Sequence, residues 1–174
     1  MNTVNTIFET DRIIVRELCL DDFYDLHKLC SDAEVMKYVG DLKPYNEQQT
    51  RQSILKSLRS YHIHGFGGWA LISKESQNFI GYGGFEFVPE RAMPEVFYIF
   101  AADYWGKGFA SEFAMKAVEY GSAELKMKQI GASFDPNNQA SMKVASKAGL
   151  CYSHRGRDQF NLPTIYYTLT PAQK

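Results

Sequence analysis

From Val96 to Ala101 the chain runs Val-Phe-Tyr-Ile-Phe-Ala, a short unbroken apolar and aromatic stretch of the kind a buried strand makes. A turn at Ala102-Asp103-Tyr104 follows, and the spacing then changes. Ala110, Phe113, Ala114, Ala117, Val118, Gly121 and Leu125 recur at intervals of three and four, which predicts the buried stripe of a helix. Glu112 and Lys116 fall on the opposite face as an i,i+4 pair. Gly106-Lys107-Gly108 lies between the two patterns, so the unit is strand, glycine loop, helix. The first-turn amides of such a helix lack intrahelical partners, and the positive end of its dipole points the same way. A phosphate or pyrophosphate is the natural guest. A tight turn that uses glycine only for its backbone freedom accounts for the same glycines.

The remaining pattern predicts further elements around this unit. Met1 to Glu9 reads as a loose arm. Arg12 to Leu18 alternates as a strand. Asp21 opens a helix whose buried stripe is Phe23, Leu26, Leu29 and Cys30. Ser31-Asp32-Ala33-Glu34 is a capping box ahead of Val35 and Met36. A longer helix runs from Asn46 to about His62, with Ile54, Leu55, Leu58 and Tyr61 inward. Trp69–Ser73 and Phe79–Val88 read as strands joined by a polar hairpin connection. Gly81, Gly83 and Gly84 inside the second suggest a bulge or a close backbone approach. Beyond the central helix come a strand from Gln129 to Phe134, a short helix capped by Asn138 and closed by Gly149, and two strands over about Cys151–Gly156 and Leu162–Leu169.

Composition narrows the classes. A chain of 174 residues is expected to be one domain, spanning 1–174, with room for a real core. A net charge of −1 advertises no basic surface for nucleic acid. Cys19, Cys30 and Cys151 are scattered without a Cys-x-x-Cys, so each reads as a small buried hydrophobe. His62 and His64 have no third ligand nearby, and no metal is expected. The N-terminus carries no signal-peptide pattern, and no segment is apolar enough to span a membrane. A reducing, cytoplasmic setting follows as the expectation.

Tyr104-Trp105-Gly106-Lys107-Gly108-Phe109-Ala110-Ser111-Glu112 resembles the acetyl-CoA pyrophosphate loop of the GCN5-related N-acetyltransferases (GNAT), and most of all their RimJ/RimL-type ribosomal-protein alanine N-acetyltransferase branch. A P-loop would end in Gly-Lys-(Ser/Thr), and a dinucleotide fingerprint needs a third glycine; neither is present. A second stretch matches in the family's order: Asn138, Ser141, Lys147 and Gly149 fit Asn-x-x-Ser followed by Lys-x-Gly-Phe. Thr10 to Leu18 and Ser31 to Tyr38 resemble the same branch, so the likeness covers about residues 10–170. It implies an α+β fold: a bent, mixed, mostly antiparallel sheet flanked by helices, whose central strand splays from the next to admit acetyl-CoA. The early helices would form one wall of the acceptor cleft. Phe100 and Ala101 would offer backbone to the pantetheine. Amides of Gly106, Lys107, Gly108, Phe109, Ala110 and Ser111 would hold the pyrophosphate, and Asn138 would contact the pantetheine arm. The Lys107 and Lys143 side chains either approach the phosphates or are solvated surface lysines.

The chemistry implied is direct acetyl transfer from acetyl-CoA to a primary amine, on a protein N-terminus or a small molecule. The attacking amine must be neutral, so a carboxylate is needed to accept its proton, often through water. Glu95 matches the branch's Glu-(Ile/Val)-Gly-Tyr segment and is the first candidate; Glu86 is the second. Glu95 reads equally well as a strand-end carboxylate in solvent or in an ion pair. A central-strand amide would stabilise the oxyanion. Ser141 matches the branch's hydroxyl beside the departing thiolate; the tyrosine many family members place four residues later is Ala145 here. Phe97 stands at the usual central-strand glycine, which leaves the acceptor open, and Leu150 stands at the usual Phe. Two rival readings remain. One is a catalytically silent acyl-CoA-binding or regulatory module on the same fold. The other is a serine hydrolase using Ser141 and His154, which the missing Gly-x-Ser-x-Gly elbow disfavours. The expected assembly is a monomer or a homodimer.

Overall fold

A computed structural model describes residues 4–169 of the chain. In chain order they form β1 (Thr6–Glu9), β2 (Ile13–Glu17), α1 (Phe23–Cys30), α2 (Ala33–Met36), α3 (Glu47–His64), β3 (Gly68–Ser73), β4 (Phe79–Val88), β5 (Met93–Phe100), α4 (Phe109–Ala123), β6 (Ile130–Phe134), α5 (Gln139–Lys147), β7 (Cys151–Arg157) and β8 (Pro163–Leu169). The strands make one sheet in the order β1-β2-β3-β4-β5-β6-β8-β7. Every neighbouring pair is antiparallel except β5 and β6, which run parallel and are joined through α4. Parallel neighbours need such a crossover, whereas β7 and β8 need only a short turn.

The period-2 alternation of β5 sorts the core into two layers. Val96, Tyr98 and Phe100 pack with α4 and α5, in a cluster that holds Trp69, Phe85, Phe113, Ala117, Ile130 and Leu150. Phe97 and Ile99 turn to the opposite face, with Leu26, Leu29, Met36, Ile54 and Tyr82 beneath α1, α2 and α3. The stripe predicted for α4 is the buried one: Phe113, Ala114, Ala117, Val118 and Gly121 all lie inside. Strand β4 uses glycine for close approach. A Cβ at Gly84 would stand 2.1 Å from the Gly67 carbonyl oxygen, which accepts from the Phe85 amide at 3.1 Å.

Several local expectations are corrected. Thr6–Glu9 pairs with β2 as a strand and is no loose arm; residues 1–3 lie outside the described part. Asp22, not Asp21, turns the chain into α1: its carboxylate takes the Cys19 amide at 2.8 Å and a forked bond from Arg16. Asp32 rather than Ser31 caps α2, accepting from Glu34 N. Leu55 is exposed, because α3 buries only the narrower stripe through Thr50, Ile54 and Ser57. Cys30 is buried, and burial pushes its thiol up to about 12, whereas Cys151 is exposed on β7. Glu112 and Lys116 do not pair: Lys116 bonds Glu119, and Glu112 is taken by Arg12.

Candidate functional site

Strands β5 and β6 are in register at one pair only, Glu95 opposite Gly131. Beyond it β5 continues to Phe100 with no ladder to β6. The register with β4 shows which backbone groups are left over. The Ala101 amide donates to Ile80 O at 3.0 Å, so by antiparallel alternation the odd-numbered residues of β5 bond toward β4. Val96, Tyr98 and Phe100 therefore turn their amides and carbonyls toward β6; the Glu95–Gly131 pair takes the Val96 amide, and the groups of Tyr98 and Phe100 are left facing the gap. Of the two residues expected to offer backbone there, Phe100 is so oriented. Ala101 is not, since its amide is already spent on β4. The Phe100 carbonyl itself accepts from Trp105 Nε1 at 2.8 Å, which ties the glycine loop to the strand end. Tyr98, not singled out by the sequence, is the next residue facing the gap. Its hydroxyl donates to Ser141 O at 3.0 Å, bridging β5 to α5, and burial pushes that hydroxyl's pKa up.

At the far end of the gap, α4 begins at Phe109. Gly106 and Gly108 have φ of +70° and +84°, a region that L side chains rarely adopt. Gly108 occupies the cap position, and no side chain accepts from the first turn. The amides of Phe109, Ala110 and Ser111 thus lack a side-chain partner, and Gly106, Lys107 and Gly108 are all exposed. An anion fits such a turn, and the unpaired edge of β5 fits a chain of alternating donors and acceptors. Helix α5 starts differently: Asn138 Oδ1 accepts from Ser141 N at 3.1 Å, which leaves the Asn138 NH2 for another contact. Lys143 is exposed on α5 and Ala145 is buried.

The loop is moored from the other end of the chain. Arg12 Nη1 donates to Lys107 O at 2.9 Å, and its guanidinium carbon lies 4.0 Å from the centre of the Phe109 ring. Arg12 also forks onto Glu112, whose other oxygen accepts from Thr10 Oγ1 at 2.6 Å and from the Arg12 amide at 2.9 Å. Partial burial opposes ionisation of Glu112, but these bonds hold its carboxyl below the usual carboxylate range. Sequence reading missed this group because 95 to 102 residues separate its members.

The two carboxylates singled out as proton acceptors stand directly opposite each other on β4 and β5. They share the face that carries Phe97 and Ile99. Glu95 is buried, with one oxygen on Arg91 and the other accepting from Ser133 Oγ at 2.7 Å. Arg91 in turn lies over the Tyr166 ring of β8, and His154 of β7 stacks on that ring's centroid at 4.7 Å. So Glu95 sits in an ion pair, one of the two environments its strand position suggested. Glu86 is half-exposed and, among the described residues, pairs with the exposed Lys56 of α3. On the same face a cavity opens between the start of α3 and the β7–β8 turn, lined by Asp41, Tyr45, Asn46, Gln49, Gln52 and Phe160 among others. Burial pushes the Tyr45 hydroxyl up, and the Cys30, Glu86 and Asp41 charges add to the effect. Among the described residues no group of three or more His, Cys, Asp or Glu could hold a metal, and no helix is long and apolar enough to cross a membrane.

Comparison with known proteins bears on this geometry. Residues 12–150 match the family model described as an acetyltransferase (GNAT) domain. YkkB of Bacillus subtilis (strain 168) is 33% identical over 91% of this chain and 92% of its own length. The N-acetyltransferase p20 of Bacillus licheniformis is 31% identical over 78% of this chain and 76% of its own. Among solved structures, an acetyltransferase (GNAT family) from Bacillus anthracis superposes with a TM-score of 0.79, at 24% identity, over 93% of this chain and 96% of that one. At that identity the superposition speaks to the fold alone: a mostly antiparallel sheet flanked by helices.

Proposed function

The chain belongs to the GNAT acetyltransferase family and is an N-acetyltransferase, and from that premise we propose that it moves an acetyl group from acetyl-CoA directly onto a primary amine, as the RimJ/RimL-type branch does. The observation that carries this reading is the unpaired edge of β5 leading to the uncapped first turn of α4. Acetyl-CoA supplies the activated acetyl group. The chain would bind it through the backbone of Tyr98 and Phe100, the Asn138 amide and the amides from Gly106 to Ser111. Ser141 is assigned the hydroxyl that protonates the departing thiolate. Residues 1–174 are taken as a single acetyltransferase domain.

The acceptor side rests on the face shared by Glu86 and Glu95. Both Glu95 oxygens are already taken, one by Arg91 and the other by Ser133, so it has no oxygen left over to turn toward an acceptor. Glu86, held by one surface lysine, is the more accessible carboxylate, which reverses the order the sequence motif suggests. The cavity at the start of α3 carries four neutral amides, Asn46, Gln48, Gln49 and Gln52, and one carboxylate, Asp41. That lining suits an acceptor with a single ammonium and peptide groups, a protein N-terminus, better than a polycation.

Thermal unfolding with acetyl-CoA, against ATP and NAD, tests the donor. At about a hundred times its dissociation constant acetyl-CoA adds roughly 2.7 kcal/mol, a rise of several degrees at about 2–4 °C per kcal/mol. No rise removes the reading. With the donor established, Glu86→Gln should lower kcat on an N-terminal peptide by about a hundredfold and leave the shift intact. If Glu95→Gln alone has that effect, the roles of the two carboxylates are exchanged.

A further inference from the structure

Arg12 touches the glycine loop on both sides of Gly108: the Lys107 carbonyl before it and the Phe109 ring after it. In a trans peptide the carbonyl and the following N–H point in opposite directions. Holding Lys107 O toward Arg12 therefore aims the Gly108 N–H away from the guanidinium. Gly108 itself is close: a Cβ there would lie 3.4 Å from Arg12 Nη2.

Glu112 poses the opposite problem. It lies in the first turn of α4, where a carboxylate suits the helix dipole but repels any anion bound to the same amides. Its two oxygens are fully engaged by Arg12 and Thr10, on the side of the β1–β2 turn. One arginine thus orients the loop and neutralises the carboxylate beside it.

We propose that Arg12 is a positioning residue for the diphosphate of the acetyl donor: it sets the Gly106–Gly108 loop and shields the bound diphosphate from Glu112. This rests on the acetyl-CoA reading above. Arg12 contacts the loop and not the reacting atoms, so its removal acts on donor binding and leaves the transfer step alone.

The test is calorimetric titration of the full chain with CoA, paired with kinetics on acetyl-CoA and on S-acetylpantetheine, which lacks the diphosphate. Arg12→Ala should weaken CoA binding about tenfold or more and raise KM for acetyl-CoA to match, with kcat within about threefold. The kcat/KM for S-acetylpantetheine should not change. Arg12→Lys keeps the charge without the fork and should fall between. Adding Glu112→Gln to Arg12→Ala should recover part of the lost CoA affinity, because the unshielded carboxylate is gone. A residue that serves only the fold predicts the reverse, a double variant no better than the single. The proposal is overturned if CoA binds Arg12→Ala as it binds the parent, if S-acetylpantetheine suffers equally, or if the double variant binds no better. Arg12→Lys carries the same comparison should Arg12→Ala not fold. A parent chain that binds no CoA removes the donor reading itself, a result distinct from a parent that binds and a variant that binds equally.

Discussion

Helices α4 and α5 both begin beside the gap between β5 and β6, and they begin in opposite ways. Helix α5 closes its first turn with its own side chain, Asn138 on the Ser141 amide, and has no acidic residue there. Helix α4 starts on a glycine with φ of +84°, no cap, and an acidic residue drawn off by Arg12. One helix satisfies its amides internally and keeps the benefit as stability. The other leaves them open, which costs stability in the free chain and is the feature on which the proposed diphosphate site rests. A glycine cap and an asparagine cap thus leave a first turn in different states, though both end a loop.

The largest effect should come from giving α4 a cap like that of α5. Gly108→Asp places a carboxylate on the open amides, and Asp tolerates positive φ better than most residues. CoA affinity in calorimetry should fall about a hundredfold, roughly 2.7 kcal/mol, from competition and repulsion together. An unchanged affinity would mean that the diphosphate does not use this turn. The reverse change is milder. Asn138→Ala opens α5 and should cost about 1 kcal/mol, a drop of about 2–4 °C in melting temperature, with Asn138→Asp restoring it. CoA affinity should move only by the one amide contact, well short of the effect at Gly108. The smallest effect is in acid. The folded Glu112 carboxyl titrates below its unfolded value of about 4.3, so its mooring is fully present above that pH and is lost as pH falls through the folded value. The melting temperature of Glu112→Gln should therefore depend less on pH below about 4 than that of the parent, by no more than a surface pair contributes. Equal slopes would mean that the mooring contributes nothing.

Periodicity in the sequence located α4, α5, β4 and the turn at Ala102–Tyr104 closely, because each is decided by neighbours three or four residues away or by alternation. It failed where a distant residue decides. Glu112 seemed the natural partner of Lys116 one turn on, but Arg12, forked and a hundred residues earlier in the β1–β2 turn, makes the better bond. Asp21 and Asp22 are equivalent as letters; Arg16 across the turn selects Asp22. Leu55 looks inward by spacing, yet α3 rests on the sheet along too narrow a line to cover it. At the candidate site the glycines and Asn138 were legible as local chemistry. Which β5 amides are free was not, because Ala101 and Phe100 differ only in which neighbour the strand happens to face.

The single rung between β5 and β6 also has a mechanical consequence. A sheet resists tearing in proportion to the bonds that cross the line of the tear, and here a single residue pair spans that line. Five strands lie on one side and three on the other, in the order already given. Pulled apart across this seam, the molecule would yield there first, with α4 and α5 acting as straps. A rigid guest lying along the seam would stitch it, so the loaded protein should be the stiffer of the two, with its C-terminal strands β6, β8 and β7 exchanging amide hydrogens more slowly.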